Sequence, residues 1–414
     1  MGHLVDIALP PRLGRPFRWL IASSWASNLG DGLALAAGPL LVASLTDRAF
    51  LVALATTLQW LPPLLLGLLA GALTDRLDRR RLIMAVNVAR VGLLAGLAAA
   101  VLTERVTILL VLVILFALGT AEVFADNASA TLLPMLVGRR DLAAGNQRLQ
   151  TGLLTLNQLA GPPLGAALFA AGAAVPFGAQ AAVLALAVGL VSRLALPPHG
   201  RHVERTGRLR HEIAEGFRWT LHHPAVRTLV ITVFTFNITF GAAWAVLVLY
   251  TTQRLGLGEI GFGLVTTVSA VGGIVGTASY GWLSRRLTLG QLMRIGLVIE
   301  TLTHLGLALT RSPRLAMPIF FVFGAHAFVW GTTSTTVRQR AVPMHLQGRV
   351  GSVNRVGVTG GLVVGSLLGG VLAERWGVTA PFWFAFAGSA LFVVLIWREL
   401  RHIAHDDDGA DAVP

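Results

Sequence analysis

The chain contains no cysteine and no lysine among its 414 residues, only two tyrosines, and few charges of any kind, 13% in all. Without cysteine there are no disulfides and no thiolate metal sites. Without lysine, arginine alone carries strong positive charge, and 33 arginines against 20 acids give a formal net charge of +13. A nucleotide-binding glycine loop, a metal-spaced His/Glu cluster and a Ser-centred elbow are also missing, which sets aside a membrane enzyme and leaves no cofactor or metal to expect. What is present is apolar: 54% of residues are hydrophobic. So basic a protein of this low polarity does not fit a dispersed soluble state, and the composition places the chain in lipid. Its arginines sit in short gaps beside apolar runs, where anionic lipid head groups are the natural partner, so no nucleic acid is expected. The first 17 residues hold Pro10, Pro11 and Pro16 but no short apolar core with a cleavage site, so no removable signal is expected.

A helix needs about 20 apolar residues to cross the hydrocarbon core. Twelve such stretches are predicted near 18–45, 50–73, 82–103, 106–130, 146–172, 175–196, 225–250, 259–283, 291–311, 314–337, 350–373 and 379–397. All must be helical, because open backbone in lipid leaves its polar groups unpaired. The arginines sort into alternate gaps. One set of gaps, with both tails, holds 26; the opposite set holds six, Arg48, Arg105, Arg254, Arg311, Arg314 and Arg375. Short cytoplasmic loops retain basic residues, so an even number of crossings with both termini cytoplasmic follows. Arg90 remains, inside the third crossing.

The longest polar gap, Pro197 to Pro224, divides the chain into a six-crossing bundle at 1–196, a linker at 197–224, a second bundle at 225–398 and an acidic, disordered tail at 399–414. Within the linker, Ile213, Phe217 and Leu221 share one side of a helix that suits the inner membrane surface. Gly71-Ala-Leu-Thr-Asp-Arg and Gly281-Trp-Leu-Ser-Arg-Arg stand 210 positions apart, and Leu133-Pro134-Met135 echoes Val342-Pro343-Met344. Such duplication of a six-helix unit builds many transporters, with substrate bound at mid-membrane between the repeats. The fold expected is therefore an all-α membrane protein of twelve transmembrane helices in two pseudo-symmetric six-helix bundles. Glycines recur at four-residue spacing, Gly67 with Gly71, Gly161 with Gly165, and Gly357, Gly361, Gly365 and Gly369, a spacing that lets helices approach closely.

The loop after the second crossing reads Gly71-Ala-Leu73-Thr-Asp75-Arg76-Leu-Asp78-Arg79-Arg80-Arg81. It resembles the signature loop of the major facilitator superfamily, with Asp78 where a glycine is usual. Leu29-Gly30-Asp31-Gly32, Leu132-Leu133-Pro134, Gly161-Pro162-Pro163-Leu164-Gly165 and Gln339-Arg340-Ala341-Val342-Pro343 add to the likeness. Together they are similar to the 12-helix exporter branch that includes macrolide-efflux and enterobactin-exporter proteins. The resemblance implies a conformational latch at the cytoplasmic side, formed by Gly71, Asp75, Arg76, Arg79 and Arg80 against the start of the eleventh crossing. The arginine that the branch carries early in the fourth crossing is missing, so proton coupling through it does not transfer.

Charges at mid-bilayer are functional candidates because each costs several kcal/mol unless paired or hydrated. Asp31 lies near mid-depth of the first crossing, where it either binds protons or substrate or packs the first bundle with Asn28. Glu122, Asp126 and Asn127 sit toward the inner end of the fourth crossing at the depth of Arg90. An Arg90 to Glu122 ion pair would neutralise both charges; alternatively Glu122 or Asp126 exchanges protons while Arg90 tunes them. Glu300 stands 210 positions beyond Arg90, with His304 one turn on, and a local buried pair or a strained lipid-facing group, rather than a substrate contact, is expected there. Gln59, Trp60, Asn157, Gln158, Asn237, His326 and Trp330 are polar groups in apolar walls that suit an amphipathic ligand.

These readings converge on a secondary active exporter of amphipathic small molecules, drug-like or siderophore-like, working by proton antiport and alternating access. A lipid or lysolipid flippase of the same fold is the alternative. The expected partners are a small amphipathic substrate, protons and membrane lipids, and the chain is expected to act as a monomer in the bacterial cytoplasmic (inner) membrane.

Overall fold

The computed structural model describes residues 13–74, 77–194 and 209–397, and among them there is no strand. The helices are α1 (Gly14–Leu45), α2 (Ala49–Thr74), α3 (Arg79–Leu102), α4 (Ile108–Leu136), α5 (Leu142–Gly152), α6 (Gly161–Ala171) and α7 (Val175–Ser192), followed by α8 (Leu209–His222), α9 (Pro224–Trp244), α10 (Gly258–Leu283), α11 (Leu289–Leu309), α12 (Pro313–Ala341), α13 (Gln347–Trp376) and α14 (Ala380–Ile396). Ten of the described helices are long and apolar enough to span a bilayer. Two more crossings are less regular. α14 is a shorter apolar helix, and the fifth crossing runs through α5, a π-helical stretch Leu153–Ala160 and α6. The molecule is an all-α membrane protein. Its large exposed apolar side chains, Leu109, Leu186, Leu391 and Val394 among them, are ordinary in lipid and would be an aggregation hazard in water.

The segmented fifth crossing has a local cause. Pro162 and Pro163, in the first turn of α6, have no N–H to give to the preceding turn, and the wider π turn lies immediately before them. Trp25 of α1 anchors the segment by donating its indole N–H to the Arg148 carbonyl at 2.9 Å.

The chain divides into two compact units, Met1–Asp47 with Leu58–Glu204, and Arg48–Thr57 with Arg205–Pro414. The first turns of α2 thus pack within the second unit. In that unit the Thr57 hydroxyl donates to the Ser366 hydroxyl at 2.8 Å, and Arg48 Nε meets Glu374 Oε1 at 3.1 Å.

Within the first unit α1 packs on α7, α6, α5 and α4, and α3 packs on α7 and α4. Phe17, Leu20, Ile21, Ile83, Leu132 and Val191 form a dry core there. The contact of α1 with α6 needs its glycines: a Cβ on Gly32 would lie 2.8 Å from Gly161 Cα and 2.6 Å from the Asn157 carbonyl oxygen. In the second unit α9 packs on α13 and α14, α11 on α12 and α14, and α10 on α12. Gly361, Gly365 and Gly369 of α13 lie against the α9 backbone, whereas Gly67 of α2 has nothing within 4 Å of where its Cβ would stand. The four-residue spacing therefore marks a helix contact in α6 and α13 but not at Gly67. Arg254 holds the end of α11, donating to the carbonyls of Thr310 at 3.1 Å and Ala308 at 3.2 Å.

α8 lies against α13 and α9. Arg349 of α13 pairs with Glu215 at 2.7 Å, while Phe217 and Leu221 stay exposed on one side, the amphipathic arrangement expected of the linker. The Ile213 side chain, residues 195–208 and the acidic tail lie outside the described residues.

Candidate functional site

α3 and α11 begin in register with the repeat. Asp78 caps α3 by accepting from the Arg81 N–H at 2.8 Å, and Thr288, 210 positions on, caps α11 by accepting from the Gln291 N–H at 3.2 Å. A capped start fixes where each helix sits along its axis, so Arg90 and Glu300 come to the middle of their helices. With an ordinary negative φ of −64°, Asp78 replaces the glycine usual in the loop without strain.

In the first unit Arg90 turns to Asp31 of α1, and this pair replaces the expected Arg90 to Glu122 pair. Arg90 is 1% exposed and Asp31 5%. The Arg90 guanidinium also donates to Asn87 Oδ1 at 3.3 Å and Ser27 Oγ at 3.5 Å, and the Ser27 hydroxyl donates to the other Asp31 oxygen at 3.5 Å. Glu122 and Asp126 of α4 remain close enough to stabilise the guanidinium through longer-range attraction. One carboxyl thus pairs directly with the guanidinium, and two more acids on α4 lie within reach of its field. Asn28 does not support Asp31, because it donates to the Ser24 carbonyl at 2.8 Å within its own helix. Asn87 and Ser27 escaped the sequence reading, although an asparagine one turn before an intramembrane arginine was a usable signal.

The remaining candidates of this unit do not converge on the pair as ligands. Asn127 donates to the Val123 carbonyl at 2.7 Å, and Gln59 of α2 donates to the Ala34 carbonyl of α1 at 3.3 Å. Asn157 is buried in the π-helical stretch while Gln158 is exposed, and Trp60 is half-buried. Of the latch residues, Asp75 and Arg76 lie outside the described residues, as does the environment of Gly71. Arg79 reaches Met135 Sδ of α4 at 3.8 Å, and Arg80 donates to the Ser192 carbonyl at the end of α7.

In the second unit Glu300 of α11 meets His326 Nε2 of α12 at 3.5 Å and His304 Nε2 at 3.9 Å. The expected local pair on α11 is thus a three-group cluster that reaches a second helix. Trp244, Phe323 and Phe320 crowd it: the Trp244 and Phe323 ring centroids lie 4.3 Å apart, Trp244 stands edge-on to His304 at 6.4 Å and Phe323 edge-on to His326 at 6.0 Å. Trp330 and His326 both press on Gly296, one turn from Glu300. Asn237 donates to the Val233 carbonyl at 2.7 Å and lies against Gly361, outside this cluster. No group of His, Asp and Glu among the described residues is arranged to hold a metal ion.

The family model described as transmembrane secretion effector matches residues 8–412. The chain belongs to this family of the major facilitator superfamily. The multidrug efflux pump Tap of Mycolicibacterium fortuitum is 28% identical, over 89% of this chain and 91% of that protein. The enterobactin exporter EntS of Citrobacter koseri is 25% identical, over 96% and 95%. In fold the chain is similar to the nucleoside transporter NupG, with a TM-score of 0.69, 12% identity and coverage of 94% and 99%. It is also similar to a bacterial homologue of the iron transporter ferroportin in an inward-facing state, with a TM-score of 0.65, 18% identity and coverage of 93% and 98%. The chain is thus a multi-pass protein of the bacterial inner membrane and an exporter of this superfamily, not an enzyme.

Proposed function

We propose that the protein exports amphipathic, cationic small molecules in exchange for protons, by alternating access, as a monomer with both termini in the cytoplasm. The observation that carries this reading is the charge imbalance of the first unit. Arg90 pairs with Asp31 and lies within electrostatic reach of Glu122 and Asp126, three acids for one guanidinium, so neutralising the group takes protons or a cationic ligand in addition to the guanidinium. Competition between the two for the same carboxylates is the minimal chemistry of an antiporter. Apolar walls with a few polar groups suit a hydrophobic ligand, in keeping with relatives named as a multidrug pump and an enterobactin exporter. The latch expected of Gly71, Asp75, Arg76, Arg79 and Arg80 belongs to the same proposal.

The test is transport by purified protein in liposomes under an imposed pH step, followed with cationic dyes. Wild type is expected to move dye faster with the step than without it, and Asp31→Asn, which removes one of the three carboxylates, is expected to lose most of that response. Equal flux in both proteins, indifferent to the pH step, would remove proton antiport.

A further inference from the structure

We infer that Glu300, His304 and His326 form a second proton-binding centre, in the second unit, which takes up and releases one proton shared among the three groups. The inference rests on the proton-coupled reading above but concerns residues that the first-unit cluster does not touch.

The argument begins with what can give up a proton. An Arg guanidinium keeps its proton under all conditions a cell offers, so in the first unit Arg90 itself exchanges none and only the carboxyls around it can. Imidazole exchanges its proton near neutral pH. The Glu300 carboxyl, 9% exposed, faces two imidazoles at 3.5 and 3.9 Å, both themselves buried. With no proton on the cluster a bare carboxylate sits at mid-membrane; with one, whether on Glu300 or on a histidine, the cluster is neutral overall; with two it is a bare cation. Low polarity therefore favours the one-proton state, and both departures from it cost energy.

The surroundings leave that proton no fixed owner. His304 is fully buried, and neither of its ring nitrogens has a hydrogen-bond partner; the buried Trp330 Nε1 has none either. These are open donors and acceptors beside the carboxylate, where a settled structural ion pair would have satisfied them. Among the described residues the other ionisable group that packs on α11 near the cluster is Tyr250, whose hydroxyl donates to the Leu307 carbonyl at 2.6 Å, one turn beyond His304. α14 carries none, and α9 carries only Arg227 in its first turn. α10 carries Glu259 and Tyr280 near its two ends. On α11 and α12 the remaining charges, Arg294, Arg314, Arg338 and Arg340, lie one to four turns away along their own helices. Trp244, Phe320 and Phe323 fill the space between.

The experiment is infrared difference spectroscopy of the purified full-length protein, following the carboxylic C=O stretch as pH is stepped. Expected is a band that Glu300→Gln abolishes, Glu300→Asp shifts, and Asp31→Asn leaves in place. His326→Gln is expected to move the pH midpoint of the band by about one unit or more, since it removes a charge-exchanging neighbour. A band set that survives Glu300→Gln, or a midpoint indifferent to His326→Gln, overturns the centre. Where Glu300→Gln fails to fold, the Glu300→Asp and His326→Gln spectra carry the same decision. The dye transport assay separates the two readings. An intact Glu300 band without pH-driven flux removes the antiport and leaves the centre standing, whereas pH-driven flux that persists in Glu300→Gln, with no Glu300-dependent band, removes the centre and leaves the antiport.

Discussion

Arg90 and Glu300 occupy equivalent places in the two units, at the middle of helices that start 210 residues apart, yet they have opposite charge and opposite partners. Arg90 reaches back to α1 and holds a carboxylate with a group that does not titrate. Glu300 reaches forward to α12 and meets imidazoles, which do. Duplication has preserved the depth at which an intramembrane charge is placed and the cap that sets that depth, while the chemistry at the position has diverged. One unit presents a fixed ion pair with surplus acid around it, the other an exchangeable one.

The largest expected effect breaks the fixed pair. Arg90→Ala leaves Asp31 buried beside Glu122 and Asp126 with no cation, and removing one partner of a buried pair costs about 3–5 kcal/mol. Thermal unfolding in detergent is expected to show a large drop in melting temperature or no folded protein. Arg90→Met combined with Asp31→Leu should recover much of the stability and none of the pH-driven dye transport. A single variant Arg90→Ala as stable as wild type would mean that the guanidinium is not the counter-ion of Asp31, and the contrast between the units would fall.

How far the sequence reached follows the same division between depth and direction. Position along the helices was legible: apolar run length located them, and Asp31, Arg90, Glu122, Glu300 and His326 were all recognisable as groups inside them. Direction was not. Which side of a helix faces which neighbour depends on packing around the helix axis. Arg90 was therefore matched to Glu122 on depth alone, when α1 was the nearer element, and Glu300 was matched to His304 without its stronger partner His326. The assignment of Arg48–Thr57 to the second unit was equally hidden, since it rests on side-chain contacts such as Thr57 with Ser366 that have no local sequence pattern. The π-helical stretch shows the intermediate case: adjacent prolines at 162 and 163 are a helix-disturbing signal in the sequence, but they do not specify the π form that precedes them.

A smaller effect tests whether the two units are equally intolerant of bulk at their helix contacts. Gly161 faces the backbone of α1 at Gly32, and Gly365 faces the Ile238 carbonyl of α9. Each contact is made by backbone, which cannot swing aside as a flexible side chain can. Gly161→Val and Gly365→Val are each expected to destabilise by about 1–3 kcal/mol or more through overpacking. The melting temperature measures this, with Gly67→Val, whose Cβ direction is empty, as the variant expected to stay near wild type. A stable Gly161→Val alongside a damaged Gly365→Val would mean that α1 and α6 shift apart readily, and that the first unit is the more deformable of the two.

The smallest effect addresses the caps that bring the charges to one depth. Asp78 and Thr288 each accept from the N–H three residues on, and at the second site Gln291 completes a reciprocal capping box, its Oε1 accepting from the Thr288 N–H at 2.9 Å. Replacing a cap by alanine costs about 0.5–2 kcal/mol. At Thr288 the Gln291 side chain still holds one N–H after Thr288→Ala, so the loss belongs at the low end of that range. Asp78 has no such second bond, but its negative charge also meets the positive end of the α3 dipole, so Asp78→Ala is expected to cost more than Thr288→Ala. The order is what matters, and salt decides its cause. The dipole contribution is screened by salt and the hydrogen bond much less, so raising ionic strength should narrow the gap between the two variants in melting temperature. A gap unchanged by salt would assign the difference to hydrogen bonding alone, and the acid that stands in place of the loop's usual glycine would then be acting as a cap without using its charge.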